Sequence, residues 1–505
     1  MMFLFSSSPS GRRKADMDTP VDGPWQALLD KVRAGLMVRT DSRLVNPGEV
    51  FVAMPAAGDK REAFIRDAVA RGAEAVVADA PVAPEMLGGA ELFPRPDAAE
   101  ALGELARAYF KTGQAVMKTI GITGTNGKTT TSYLIEHILA SAGLKVGVLG
   151  TVTYRWPGFS LDASLTTPGC WQLHDLMANM AKSDVDVVVM EVSSHALDQK
   201  RVAGLDFDVA VLTNVTQDHL DYHGTMESYF QAKSRLFRDC PPEDKRSVLN
   251  WDDPYGRRLL QEVHPSLGYG LTDQPAGDAT LAGTILSCTG AGLHLRMTYK
   301  GKSWELTSPL VGAHNAQNLL AAQAACLSLG LSCKEARRLS EFQGVPGRLE
   351  RVPNERGLAV FVDYAHTPDA LINVQNTLRS LDFQRLVTVF GCGGNRDRGK
   401  RPLMARAVAD YADVAVLTSD NPRFEDPLEI MADARPGLSS GPRTPEIVEE
   451  PDRYQALCKA VGLMREGDVL LVAGKGHEAY QQVGERKLPF SDVEAVQRAI
   501  REVLG

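Results

Sequence analysis

Short runs of aliphatic and β-branched residues, each closed by a polar or glycine-rich cluster, alternate along this chain with longer segments of mixed character. Val50–Met54, Ala75–Ala78, Lys118–Ile122, Asp184–Met190, Phe207–Thr213, Arg385–Phe390, Val414–Thr418 and Val469–Ala473 read as strands. Most are apolar almost throughout, as strands covered on both faces must be, and this predicts parallel sheets. Glu62–Ala73 and Thr131–Ala142 read as helices between strands. Residues 280–310 differ: in Gly292-Leu-His-Leu-Arg-Met-Thr298 polar and apolar positions alternate, which predicts a small antiparallel patch. Arg435–Pro451, rich in Pro, Gly and Ser, reads as an exposed connection. The pattern as a whole predicts an α/β protein.

Composition narrows this picture. A chain of 505 residues has room for about three domains. We place a flexible tail at 1–22, a small N-terminal α/β domain at 23–114, a central domain with a parallel sheet at 115–345 and a C-terminal Rossmann-like domain at 346–505. Hydrophobic residues make up 44%, enough for sizeable cores, and the net charge of −8 argues against a nucleic-acid-binding surface. Seven cysteines stand at 170, 240, 288, 326, 333, 392 and 458. Their odd number and lack of any C-x-x-C pair point to reduced thiols and a cytoplasmic protein. The apolar start Met1–Phe5 is too short for a signal peptide, and its charges follow rather than precede it. No apolar run approaches the ~20 residues of a membrane span.

Three groups of residues carry candidate chemistry. Gly124-Thr-Asn-Gly-Lys-Thr-Thr130 lies between a predicted strand and a predicted helix, the setting of a phosphate loop. Glycines there let backbone N–H groups approach an anion, and the helix N-terminus adds a favourable dipole. Lys128 would neutralise the outer phosphates of a nucleoside triphosphate and Thr129 would ligate Mg²⁺. The spacing departs from G-x-x-x-x-G-K-[ST] by one or two residues, depending on whether Gly121 or Gly124 is counted as first.

At later strand ends, Glu191 is placed to share a cation with Thr129, or else is a solvated carboxylate. Asn214–Gly224 gathers His219, His223, Asp218 and Asp221 in a spacing that fits no zinc motif. One of these histidines could bind a phosphate-bound cation, or the two could be a satisfied hydrogen-bonded pair. Farther on, Arg396 and Arg423 put guanidinium groups at strand ends, suited to pairing with a carboxylate, and Glu478 could meet an ammonium. Arg398, Lys400 and Arg401 leave open the alternative of an ordinary solvated loop around Arg396.

Taken in order, Gly124–Thr130, Glu191-Val-Ser-Ser-His195, Asp218-His-Leu-Asp-Tyr-His-Gly224, Gly312-Ala-His-Asn315 with Asn318, Asp363-Tyr-Ala-His-Thr-Pro-Asp369 and Gly474-Lys-Gly-His-Glu478 resemble the Mur ligases of peptidoglycan synthesis. The resemblance covers roughly residues 25 to 500. Asp420-Asn-Pro-Arg423 points to the branch that adds meso-diaminopimelate as the third peptide residue, because lysine-adding relatives usually lack the Arg. Diaminopimelate has a second carboxylate that Arg423 could pair with.

The resemblance implies an ATP-dependent amide ligase acting on UDP-N-acetylmuramoyl-L-Ala-D-Glu through an acyl phosphate, with Mg²⁺ as cofactor. It also implies a monomer with small-molecule partners and neither nucleic acid nor membrane. It assigns Gly124, Thr125, Asn126, Gly127, Lys128, Thr129, Thr130, Asn318 and His366 to ATP. Ser42, Thr166, Thr167, Ser193, Gln199 and Arg201 go to the nucleotide-peptide, and Arg396, Asp420, Asn421, Pro422, Arg423, Gly474 and Glu478 to diaminopimelate. Thr129, Glu191, His219 and Lys233 go to the metal, with Lys128, Lys233, His219 and Glu191 catalytic. Lys233 matches a lysine that becomes carbamylated to N6-carboxylysine. One departure is Leu165, where some relatives have Asn. Hinge motion near residue 345 is a further expectation. Folylpolyglutamate synthase shares the phosphate loop, but the Asp41-Ser-Arg43 region argues for a UDP-sugar.

Overall fold

The computed structural model describes residues 23–56, 59–239, 246–272, 280–333, 337–342, 344–441 and 443–505. The expected tail at 1–22 and Cys240 lie outside the described residues. The chain forms two compact units. The first runs to Tyr269 and takes in Ala321–Ala336; the second joins Gly270–Leu320 to Arg337–Gly505.

The first unit holds two sheets. A four-stranded parallel sheet runs in the order Val38–Arg39, Val50–Val52, Ala75–Ala78, Glu91–Pro94. A larger parallel ladder runs Ser266–Leu271, Arg246–Asn250, Val209–Leu212, Lys118–Thr123, Val187–Glu191, Val146–Leu149. Thr153–Trp156 and Phe159–Asp162 extend it antiparallel. The phosphate-loop strand is thus central, and Val188, Met190, Ala210 and Leu212 pack into one core with Leu173, Phe230 and Leu236.

Helix Ala98–Phe110 ties the two sheets together. Asp97 caps it by accepting from the Ala99 and Glu100 N–H groups, which otherwise have no intrahelical partner. Its Gly103 faces Ala203 so closely that an added Cβ would lie 2.5 Å from the Ala203 Cβ. Arg107 then donates to the Gly204 carbonyl at 2.7 Å and pairs with Asp206 at 3.0 Å.

The second unit holds the antiparallel strands Thr280–Thr289, Gly292–Tyr299 and Lys302–Ser308, as the alternation predicts. It also holds a six-stranded sheet in the order Glu350–Arg351, Ala359–Asp363, Val469–Ala473, Leu386–Cys392, Val414–Ser419, Glu446–Glu449, parallel except for the first strand. Strand alternation splits its core into two layers. Phe361, Phe390 and Leu471 pack with Leu371, Met404 and Ile430. Val360, Val362, Val387, Val389, Leu470 and Val472 pack on the other face with Leu457, Val461 and Ile500.

Two expectations are corrected. Arg435–Pro451 is not an open connection: it contains the end of helix Pro427–Leu438 and the edge strand Glu446–Glu449. That strand exists because Val414–Leu417 supplies its ladder, a partner far away in sequence. The phosphate-loop helix spans Lys128–Ser141 and starts three residues before the expected Thr131, so Lys128 and Thr129 lie in its first turn. Among the described residues, no helix is long and apolar enough to cross a membrane.

Candidate active site

The phosphate loop folds as its glycines allow. Gly124 and Gly127 have φ of +145° and +85°, conformations a side chain rarely adopts. A Cβ on Gly124 would lie 1.8 Å from the Thr213 hydroxyl oxygen. The end of the neighbouring strand grips the loop: Asn126 N–H donates to Asn214 Oδ1 at 3.0 Å, and Thr125 N–H to the Asn214 carbonyl at 2.8 Å. Lys128 Nζ donates to the carbonyls of Gly124 and Thr125, both at 2.8 Å. Thr130 lies in the same first helical turn.

Around the loop, the structure joins residues that the sequence scatters. Thr129 Oγ1 donates to Glu191 Oε2 at 3.0 Å, and Glu191 is buried. Thr151, which sequence reasoning missed, donates to both oxygens of Glu191, from its N–H at 3.0 Å and its hydroxyl at 2.9 Å. Its hydroxyl also meets that of Thr166 at 3.2 Å. Thr167 donates to the Glu191 carbonyl and accepts from Ser193 N–H. Arg201 donates to the Thr167 carbonyl at 3.1 Å and to Gln199 Oε1 at 2.7 Å. Thr166, Thr167, Ser193, Gln199 and Arg201 are therefore one connected group adjoining Glu191. Ser42 is buried in the N-terminal sheet region, where its hydroxyl bonds Asp67.

Lys233, on helix Met226–Arg238, is buried, and its Nζ donates to the Gly124 carbonyl at 2.8 Å. It lies 4.3 Å from the centroid of the Tyr229 ring. Burial, and then the charge of Lys128, push its amine well below the usual lysine range. His219 adopts φ of +52° and stands 3.5 Å from Asp218. His195 packs against it with ring centroids 4.8 Å apart. The bonds joining Thr129 to Glu191 do not include His219; His223 instead bonds Ser194 at 3.1 Å.

The second unit contains a cavity of about 340 Å³ at the ends of its sheet strands, lined among others by His366, Arg396, Asp420, Asn421, Arg423, Gly474 and Glu478. Six of the seven residues expected to hold an amino acid thus meet in one place. The seventh, Pro422, lines a separate groove with Tyr454 and Phe490. Its backbone packs against the cavity loop: a Cβ on Gly394 would lie 1.9 Å from the Pro422 carbonyl oxygen.

Arg423 has φ of +52° and donates from Nη1 to the Gly394 carbonyl at 2.7 Å. Asn421 Nδ2 donates to Glu478 Oε2 at 2.8 Å. Gly474 has φ of +118°, and a Cβ there would lie 2.5 Å from Asp420 Oδ2. Burial pushes the Asp420 carboxyl upward, against the lowering charges of Arg453 and Lys475. Asn318 lies buried on helix Ala313–Ser328, donating to Asn315 Oδ1 at 3.1 Å. His366 Nδ1 meets the Tyr364 carbonyl at 2.8 Å, so Nδ1 carries the proton.

Two supports of this cavity were not apparent in the sequence. Arg401 is no solvated loop residue: it is buried and pairs with both Glu425 and Asp433 at 2.8 Å. Arg453 and Asp492, both fully buried, pair at 2.7 Å. Arg453 also donates to the carbonyls of Ser419 and Ala473, the last residues of two strands, so it braces the backbone just before Asp420 and Gly474. No local pattern marks either residue, because the helix periodicity treats both as ordinary polar positions.

Known proteins are similar to this chain along most of its length. The Mur ligase middle domain profile matches residues 122–326, and the Mur ligase, glutamate ligase domain profile matches 347–476. A UDP-N-acetylmuramoyl-L-alanyl-D-glutamate--2,6-diaminopimelate ligase of Lawsonia intracellularis is 52% identical, over 95% of this chain and 99% of that one. One of Synechococcus elongatus is 44% identical over 97% and 98%. A solved structure of an enzyme with the same name superposes with a TM-score of 0.70 at 35% identity, covering 93% of this chain and 95% of that one. With its phosphate loop, its strand-end cavity and these relatives along nearly its whole length, the chain belongs to the Mur ligase family.

Proposed function

We propose that this chain uses ATP to join meso-diaminopimelate to the D-glutamyl γ-carboxylate of UDP-N-acetylmuramoyl-L-Ala-D-Glu, in the cytoplasmic synthesis of peptidoglycan precursors. The observation that carries this reading is the strand-end cavity, where Arg396 and Arg423 accompany the anchored carboxylate of Glu478. An amino-acid head needs both signs of charge, and the second head of diaminopimelate supplies their counterparts.

The reaction has two steps. An oxygen of the γ-carboxylate attacks the γ-phosphorus of ATP; the bond to the bridging oxygen breaks and ADP leaves. The amine of diaminopimelate then attacks the acyl carbon. Its C–O bond to phosphate breaks, the nitrogen loses a proton and phosphate departs with the electron pair. Positioning and charge compensation do most of the catalytic work in such transfers. Lys128 offsets the repulsion between the attacking carboxylate and the phosphates. Thr166, Thr167, Ser193, Gln199 and Arg201 orient the peptide, Ser42 faces the uridine end, and Asn318 and His366 contact the nucleotide.

Mg²⁺ fits the donor set beside the loop, where the Thr129 hydroxyl already meets the buried Glu191 carboxylate. Glu191, Thr129, His219 and a carbamate on Lys233 would hold it. When bound, it would lower the negative charge that the attacking carboxylate must approach. The carbamate forms when the Lys233 nitrogen bonds the carbon of CO₂ and releases a proton. The working parts are the segments 23–114, 115–345 and 346–505, acting within a monomer.

The test is phosphate release from ATP with the UDP-linked dipeptide, comparing meso-diaminopimelate with L-lysine. Release dependent on diaminopimelate is expected. Equal release with lysine would overturn the role of Arg423, and no release with either would overturn the substrate assignment.

A further inference from the structure

Lys475 follows strand Val469–Ala473 by two residues and is fully buried. A lysine in that position is costly unless its ammonium is paired. Its Nζ donates to Asn421 Oδ1 at 3.1 Å and to Glu478 Oε2 at 3.2 Å. Asn421 Oδ1 also accepts from Gln482 N–H at 2.8 Å. Two donors on one side settle which way this amide points, because only its oxygen can accept them. Its Nδ2 is then left to donate to Glu478 Oε2 at 2.8 Å. Oε2 is thereby held by two donors, and among the described residues no hydrogen bond engages Oε1. The Lys475 ammonium also acts on Asp420, the other carboxylate lining the cavity.

We propose that Lys475 is a positioning residue for amino-acid selection: it locks the Asn421 amide and one oxygen of Glu478, so that Glu478 Oε1 faces the ammonium of the incoming amino acid. This rests on the proposed reading of the cavity as the diaminopimelate site.

Lys475→Met keeps the length of the side chain and removes its charge and donors. A lost charged hydrogen bond of ~1.5–3 kcal/mol corresponds to a rise of about 10–150-fold in KM for meso-diaminopimelate. At saturating diaminopimelate, kcat should stay within about threefold, and KM for ATP and for the UDP-linked dipeptide should not move, since the lost interaction is one of binding. In a Glu478→Gln background the same substitution should add little, because its effect runs through that carboxylate. Lys475→Gln, which retains a donor, should fall between wild type and Lys475→Met, and it serves if the Met variant does not fold.

An unchanged KM in a folded variant, or full additivity with Glu478→Gln, would overturn the role of Lys475 while leaving the ligase reading standing. A wild-type protein whose phosphate release ignores diaminopimelate would overturn both.

Discussion

Lys128 reaches carbonyls three and four residues behind it, whereas Lys475 reaches Asn421 from 54 positions away. The contrast extends from these two lysines to the loop and the cavity that hold them. The phosphate loop is one strand, one turn and one helix, and the proposed anion binding would draw on backbone shape and a helix end. The cavity of the second unit is assembled from the ends of separate strands, and two buried arginines with distant partners support it: Arg453 with Asp492, and Arg401 with Glu425 and Asp433. A local device can be damaged at one residue without loosening the fold. A dispersed one depends on supports whose loss is felt first as instability.

Lys128→Ala should give the largest effect and the clearest break in this comparison. Turnover should fall by about a thousandfold or more, the scale of losing a principal charge-stabilising group, while the melting temperature stays near that of the parent. Unfolding of the variant would show that Lys128 also supports the fold. Arg453→Met probes the opposite behaviour. It leaves Asp492 buried without its cation, and stability should fall by ~3–5 kcal/mol. Calorimetry with each unit followed separately should place that loss in the second unit.

Arg423→Ala sharpens the comparison from the ligand side. It removes a carboxylate partner at the cavity, and KM for diaminopimelate should rise about 100-fold while KM for ATP stays constant. A matching rise for ATP would mean that the two sites are not energetically separate.

The smallest expected effect is in the first unit and depends on pH. His174 is buried between the Thr112 hydroxyl and the Ala203 carbonyl, at 2.7 and 2.9 Å. The carbonyl can only accept, so Nε2 carries the proton of a neutral ring. Burial lowers its pKa from 6.5 to about 4. Between those values the unfolded chain binds the proton and the folded one does not. Stability from this group is therefore complete above 6.5 and declines as the pH falls toward 4. At pH 5 the loss should be about 2 kcal/mol. His174→Gln should flatten the dependence of urea unfolding on pH in that window; an unchanged slope would refute the assignment.

The nucleotide loop was legible because its signal is contiguous: glycines, a lysine and a hydroxyl between an apolar strand and a helix. At the cavity, Arg396, Arg423 and Glu478 were legible as charged groups at strand ends, while Asp420, Asn421 and Gly474 were assigned through the resemblance; the strand-end placement of their loops made one shared site a reasonable expectation. Pro422 was grouped with them through the motif of the resemblance, yet it lines a separate groove with Tyr454 and Phe490. Arg401 read as solvated because its partners, Glu425 and Asp433, are 24 and 32 residues away. The edge strand Glu446–Glu449 read as a connection because Pro, Gly and Ser around it outweighed a ladder that exists only once Val414–Leu417 lies beside it.

The sequence by itself determined the parallel α/β architecture, the phosphate loop and the identity of most groups at both sites. The architecture and the loop follow from side-chain periodicity and from backbone freedom at particular glycines, both of which act over a few residues, whereas most of the site groups follow from the motifs that carry the family resemblance. Tertiary structure alone decided which charges are buried and what each one meets. Lys475, Arg453 and Arg401 look like surface cations in the chain, and only packing removes them from water. Once desolvated, a charge must find its counterpart wherever the fold brings one, and that distance in space has no fixed relation to distance along the chain.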